Sequence, residues 1–223
     1  MSHPYVQALQ AHMEPHRNPK QAEPMAKYMK NLFPFLGIKT PEREALIREF
    51  KKMHGLPDPA ELDAIVRELW LLPEREYAYM AIHLLTKRAK SLDRKHADLL
   101  EYLIVTRSWW DTVDLLAGTL VGGLFTKYPD LTDSYAEAWI SSDNIWLQRS
   151  AILFQLKYKG RTDVERLFRY IKLCSSSKEF FIQKSIGWAL REYAKTDPDR
   201  VRKFVQETPL AALSRREALK HLK

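Results

Sequence analysis

The chain of 223 residues is 45% hydrophobic, with seven glycines and one cysteine. That apolar share excludes a disordered chain. Glycine falls well below the roughly 15 expected at average usage, which argues against a turn-rich β-sandwich or a Gly-rich nucleotide fold. A lone Cys174 excludes a disulfide framework or a cysteine zinc site. The formal charge of +8 is uneven: residues 1–140 hold 18 Lys+Arg against 19 Asp+Glu, whereas residues 141–223 hold 18 against 9. A cationic excess confined to the last third attracts polyanions, of which nucleic acid is the commonest. A generically basic surface explains the excess equally well.

The first segment, MSHPYVQALQAHMEPHRNPK, is polar and interrupted by prolines, unlike a signal peptide. No apolar run approaches the roughly 18 residues of a membrane span. Asn18-Pro19, Thr40-Pro41, Asp58-Pro59 and Asp197-Pro198 each put a capping side chain before a proline suited to the first helical position. Pro73 and Pro129 open further helical segments. Apolar residues recur at three- and four-residue spacing, without strand-like alternation. The pattern predicts a dozen or so helices of roughly 10–17 residues joined by short turns, forming one domain over 1–223.

An internal repeat is visible. IWLQRSAILFQLKY (145–158) aligns without gaps on FFIQKSIGWALREY (180–193), and WDTVDLLAGTLVGG (110–123) is a diverged third copy one step of 35 residues earlier. Leu147, Ala151, Phe154 and Tyr158 match Ile182, Ile186, Ala189 and Tyr193, an apolar stripe at i, i+4, i+7, i+11. A helix with such a stripe needs a neighbour to bury it, and stacked copies at this period make an all-α solenoid of HEAT or armadillo type. An irregular helical bundle is the alternative.

Lys184, Trp188, Arg191 and Lys195 follow the same steps on the opposite side of the third copy. In the second copy Arg149 stands at the place of Lys184, and Lys157, Lys159 and Arg161 end the segment. Cations interleaved with an aromatic suit a phosphate backbone with its sugars and bases. Trp188 fits equally as packing beneath a following helix. In the first copy the same place is taken by Asp114, with Trp110 one turn before it. Trp109, read on a helical wheel, belongs against Val113 and Leu116. On spacing alone Asp114 reads first as an ion pair to Arg149 one repeat on, ahead of a chemical role. A carboxylate in a cationic groove nevertheless repels phosphate, which points to a task involving developing positive charge. The seven histidines form no HExxH pair, nothing marks Cys174 as an activated nucleophile, and no GxSxG, Walker or Rossmann motif is present.

GIKTPER (37–43), RELWLLPEREY (67–77), VTRSWWDTVD (105–114), SSDNIWLQRSAILFQLKYK (141–159) and SSKEFFIQKSIGWALREYAK (176–195) together resemble the AlkD family of DNA alkylation repair proteins, in order over essentially the whole chain. The resemblance implies a HEAT-like-repeat solenoid with a concave basic groove. The implied enzyme is a monofunctional DNA glycosylase that removes cationic alkylpurines such as 3-methyladenine and 7-methylguanine without a deep base-flipping pocket. It also implies Trp110, Asp114 and Trp188 as the catalytic set with Arg149 beside them. Lys39 stands where the family's best-known member has glutamine, and a short further tail is expected beyond Lys223. The expected partner is double-stranded DNA with alkylated bases, held by Lys39, Arg149, Lys157, Lys159, Lys184, Arg191 and Lys195. The protein is further expected to be a cytoplasmic monomer that reaches the nucleoid through DNA and uses no cofactor, metal or membrane. Two other readings stay open: a catalytically silent binder of distorted duplex, and a protein-interaction scaffold.

Overall fold

The computed structural model describes residues 2–222, which contain helices and no strand. These residues pack as two compact units, divided between Leu92 and Asp93.

The first unit holds α1 (Pro4–Met13), α2 (Pro19–Tyr28), α3 (Thr40–His54), α4 (Leu62–Leu71) and α5 (Arg75–Lys87). Asn18 caps α2 by accepting from the Gln21 amide, as its place before Pro19 predicts. Thr40 does not cap: α3 already includes it, and its hydroxyl accepts from Arg43 at 3.4 Å. Asp58 closes a local turn onto the Ala60 amide ahead of α4. Leu9, Met13, Phe50, Ile65, Trp70 and Tyr77 are fully buried, and a side chain of this size contributes about 1.5–3 kcal/mol when removed from water.

Inside this core lies a buried Glu76. Its carboxylate accepts from the amides of Leu36, Gly37 and Ile38 at 2.9–3.1 Å, which satisfies a segment that makes no helix of its own. Gly37 adopts φ +88°, and a Cβ there would meet the Asn18 carbonyl at 2.1 Å; glycine is required on both counts. Glu76 and Asn18 thus pin the strap that delivers Lys39 to the start of α3.

The second unit holds α6 (His96–Val105), α7 (Trp110–Leu115), α8 (Gly122–Lys127), α9 (Glu137–Ile140), α10 (Ile145–Leu153), α11 (Val164–Cys174), α12 (Phe180–Tyr193), α13 (Pro198–Glu207) and α14 (Ala212–Leu219). The copies at 110, 145 and 180 each begin a helix. The same step of 35 residues also marks the first residues of α3 and α5, Thr40 and Arg75. Solenoid-like helical repeats are therefore more numerous than the alignment of similar residues reveals. Leu147 and Ala151 on α10, Phe154 just past its end, and Ile182, Ile186 and Ala189 on α12 are buried as the stripe requires, while Tyr158 and Tyr193 are half-buried. The copy at 110 departs from its sisters. After α7 its backbone widens into a π-helical stretch over Leu116–Val121, a local insertion often found beside functional sites.

Candidate active site

Asp114 lies in the last turn of α7, before the π-helical stretch. Its carboxylate is gripped by both arms of Arg149 from α10: Nε donates to Oδ1 at 2.7 Å and Nη2 to Oδ2 at 2.9 Å. Nη1 of the same guanidinium donates to the Phe181 carbonyl on α12. One arginine thus ties the three sister helices together. The Arg149 side chain is 5% exposed and that of Asp114 is 16% exposed, so the pair is embedded while the carboxylate still reaches the surface. Burial pushes the Asp114 carboxyl above its ordinary 3.8; Arg149 opposes this, and the negative charge of Asp111 adds to it. The ion pair that the repeat spacing allowed is therefore present. Each carboxylate oxygen has a second lone pair, so the pairing does not exhaust the anion.

Trp110 shares the Asp114 face one turn earlier and is half-buried. Trp109 departs from the helical-wheel reading. It precedes α7 in extended backbone (φ −159°, ψ 160°), so 100° per residue does not apply to it. Its ring lies 5.6 Å from Trp146 and 5.0 Å from Phe181, and those two rings are 5.0 Å apart. This triangle of aromatics flanks the ion pair, with the Arg149 guanidinium 5.9 Å from the Phe181 ring. Neither Trp146 nor Phe181 stood out in the sequence, although both occupy the second residue of their repeat helix, 35 apart. Trp188 is half-buried on α12, seven residues beyond Phe181. Seven residues are nearly two turns, so it sits on the same face about 10 Å along the axis.

The cations fall into two groups. Lys184 and Arg191 do not project freely from α12, because Glu217 on α14 pairs with both, at 3.1 Å and 2.5 Å. Hydrogen bonds from Lys184 and then Arg191 hold the Glu217 carboxyl below its ordinary range. The close approach is possible because residue 187 is glycine: a Cβ there would lie 2.4 Å from Glu217 Cβ and 3.0 Å from the Ser214 carbonyl. Lys195 pairs with Glu192 at 2.7 Å. Arg149 is committed to Asp114. Lys157 and Lys159 are exposed and, among the described residues, have no acidic partner; Lys157 donates only to the Thr119 hydroxyl, at 2.7 Å. Lys39 is likewise exposed and, among the described residues of the first unit, has no acidic partner. Burial raises the Cys174 thiol to about 11, which makes it a poor nucleophile. No three His, Cys, Asp or Glu side chains converge among the described residues, and no described helix is long and apolar enough to cross a membrane.

Fold and site define an all-α repeat protein with an arginine-clamped carboxylate among aromatic rings. The family of DNA alkylation repair enzymes matches residues 9–222, and the chain belongs to it, which gives it a role in alkylation repair. Its structure is similar to that of a predicted DNA alkylation repair enzyme from Enterococcus faecalis, with 32% identity, a TM-score of 0.85 and coverage of 92% of this chain and 96% of that one. A Streptococcus mutans UA159 protein of 16% identity shares the fold, with a TM-score of 0.60 over 77% of this chain and 89% of its own. No curated protein sequence matches.

Proposed function

We propose that the protein is a monofunctional alkylpurine DNA glycosylase acting on cationic lesions such as 3-methyladenine and 7-methylguanine in duplex DNA. The observation that carries this reading is the Asp114 carboxylate, fixed bidentately yet still 16% exposed. In the reaction the N-glycosidic bond breaks and its electron pair leaves with the purine, cancelling the lesion's positive charge. Water adds at the sugar's C1′ carbon and its proton passes to solvent, leaving an abasic site and a neutral base. A quaternised purine needs no general acid, so the second carboxyl of ordinary glycosidases is dispensable. Positive charge grows on the deoxyribose, and a preoriented anion is the group that stabilises it. Asp114 supplies that anion and orients the water.

Trp110 and Trp188 offer ring faces to the sugar, and each cation–π contact adds about 0.5–2 kcal/mol. The anion contributes more, because removing one preorganised electrostatic group costs about 2.7–4 kcal/mol. Arg149 acts as a positioning residue: its fork sets the direction of both oxygens, and its charge opposes the upward shift that burial causes. Lys39, Lys157 and Lys159 are the candidates for backbone phosphates, since none is neutralised by an acid. Neutral lesions such as uracil should be poor substrates, because their leaving groups require a proton.

The test is base release from 7-methylguanine duplex, wild type beside Asp114→Asn. The variant should lose a factor of about 10²–10³ in turnover while binding the duplex as before. Near-normal turnover sinks the assignment. Duplex binding without base release by the wild type would favour the silent DNA binder instead.

A further inference from the structure

Uncompensated positive charge also gathers in the first unit, where the sequence-wide charge balance hides it. The face of α3 bearing Glu44, Ile47, Arg48 and Lys51 meets the face of α5 bearing His83 and Lys87 across a cavity of 410 Å³. The α3 residues fall at i, i+3, i+4, i+7 and the α5 pair at i, i+4, so each set is one helical stripe. Among the described residues, Arg48, Lys51 and Lys87 make no ion pair, and Glu44 is the lone acid on the rim. Just beyond the rim, Arg43 lies over the Tyr79 ring at 4.5 Å. His83 sits among these charges. Burial lowers its basicity first, then the charges of Lys87 and Lys51, with Glu44 alone of the acids opposing them and Arg43 adding to the depression.

Three cations around one recess, without ion-pair partners among the described residues, repel each other and are stabilised when an anion sits among them. On α11 and α13, by contrast, Arg166, Arg169 and Arg200 all have carboxylate partners. We infer that the α3–α5 recess binds a backbone phosphodiester of duplex DNA through Arg48, Lys51 and Lys87. The choice of a DNA phosphodiester over free phosphate rests on the function proposed above, while the recess itself does not. A guanidinium fork with two point-charge ammoniums suits a diester whose two free oxygens point into the cavity.

The test measures binding of the full chain to an unmodified labelled duplex by fluorescence anisotropy at 50–200 mM salt. Lys51→Ala/Lys87→Ala should lower the slope of log affinity against log salt by about 2, each lost phosphate contact counting for about 0.9. Glu44→Gln should tighten binding severalfold. Lys172→Ala, which removes an exposed lysine of α11, serves as the control for generic charge. The double variant with wild-type slope and affinity overturns the proposal, and so does an equal change in Lys172→Ala. In a second arm, inorganic phosphate is titrated against the His83 ring signals. A response there, together with an unchanged duplex slope, assigns the recess to free phosphate and overturns the DNA assignment. Loss of slope with no base release by the wild type leaves the recess standing and removes only the glycosylase reading.

Discussion

Two basic faces of this protein rank one way by sequence and the other way by structure. The α12 face carries Lys184, Arg191 and Lys195 in a region with twice as many cations as acids, yet each is matched by Glu217 or Glu192. The α3–α5 face lies in a stretch that is nearly neutral, yet its Arg48, Lys51 and Lys87 are unmatched around a recess. Net charge counts residues, whereas an anion responds to the charge left over after pairing. Cations that hold a helix in place are partly spent before any ligand arrives, and the largest effects of mutation should follow that division.

Removing a committed cation should therefore do the most damage to the fold. Arg149→Ala strands an embedded carboxylate and should cost about 3–5 kcal/mol of stability, read as a lower unfolding midpoint, and abolish base release with it. Arg149→Lys keeps a charge without the fork. It should recover much of the stability and little of the turnover, a split that a merely structural arginine would not produce.

A smaller effect is expected where α14 rests on α12. Gly187→Ala places a methyl against Glu217 Cβ and the Ser214 carbonyl, and overpacking of this kind costs about 1–3 kcal/mol. The same displacement frees Lys184 and Arg191, so duplex affinity should rise as stability falls. If affinity stays constant, the α12 cations lie off the path of DNA even when released.

Acid should separate the two carboxylates. Asp114 has its pKa raised, chiefly by burial. Its share of the folding stability is therefore present below the unfolded value and lost as pH rises through the folded one. Ionisation is maintained for chemistry at the expense of stability. Base release, corrected for spontaneous depurination, should decline on acidification from a pH above the ordinary 3.8 of an aspartate. Glu217 is shifted the other way, by Lys184 and then Arg191. Its contribution is present above the unfolded value and disappears as pH falls through the lower folded one, so exchange protection in α14 should fade at the acid end of the range. Loss of α14 protection at neutral pH would contradict that pairing.

Much of this was legible in advance. The 35-residue copies at 110, 145 and 180 are helices, and the Asp114–Arg149 pair is one repeat step apart, so spacing alone made it available. The copies at 40 and 75 are not legible as similar residues: Thr40 is exposed and Arg75 is buried, and the two positions share only the start of a helix. The ring contacts of Trp109 with Trp146 and Phe181 are not visible on a helical wheel, because the residue stands in extended backbone before α7. The pairing of Lys184 and Arg191 was invisible because Glu217 comes from a different helix, brought close by the missing side chain at Gly187. Helix propensity reads one segment at a time, whereas compensation of charge is a property of neighbours.

The smallest effect isolates the cations that remain available in the second unit. Lys157 and Lys159 are exposed without acidic partners, and Lys159 sits at φ +53° in the turn after α10. Replacing either by alanine removes no ion pair among the described residues, so the folding stability should change by no more than about 0.5 kcal/mol, as for most surface changes. If each holds a phosphate, the salt slope of duplex binding falls by about 0.9 per residue, with turnover at saturating protein unchanged. Lys195→Ala is the informative companion. That lysine is equally exposed but paired with Glu192, and its removal leaves an extra negative charge behind. A larger loss of affinity from Lys195 than from Lys157 would mean that exposed pairs open to receive DNA, and the division between committed and available cations would then hold only for embedded groups such as Arg149.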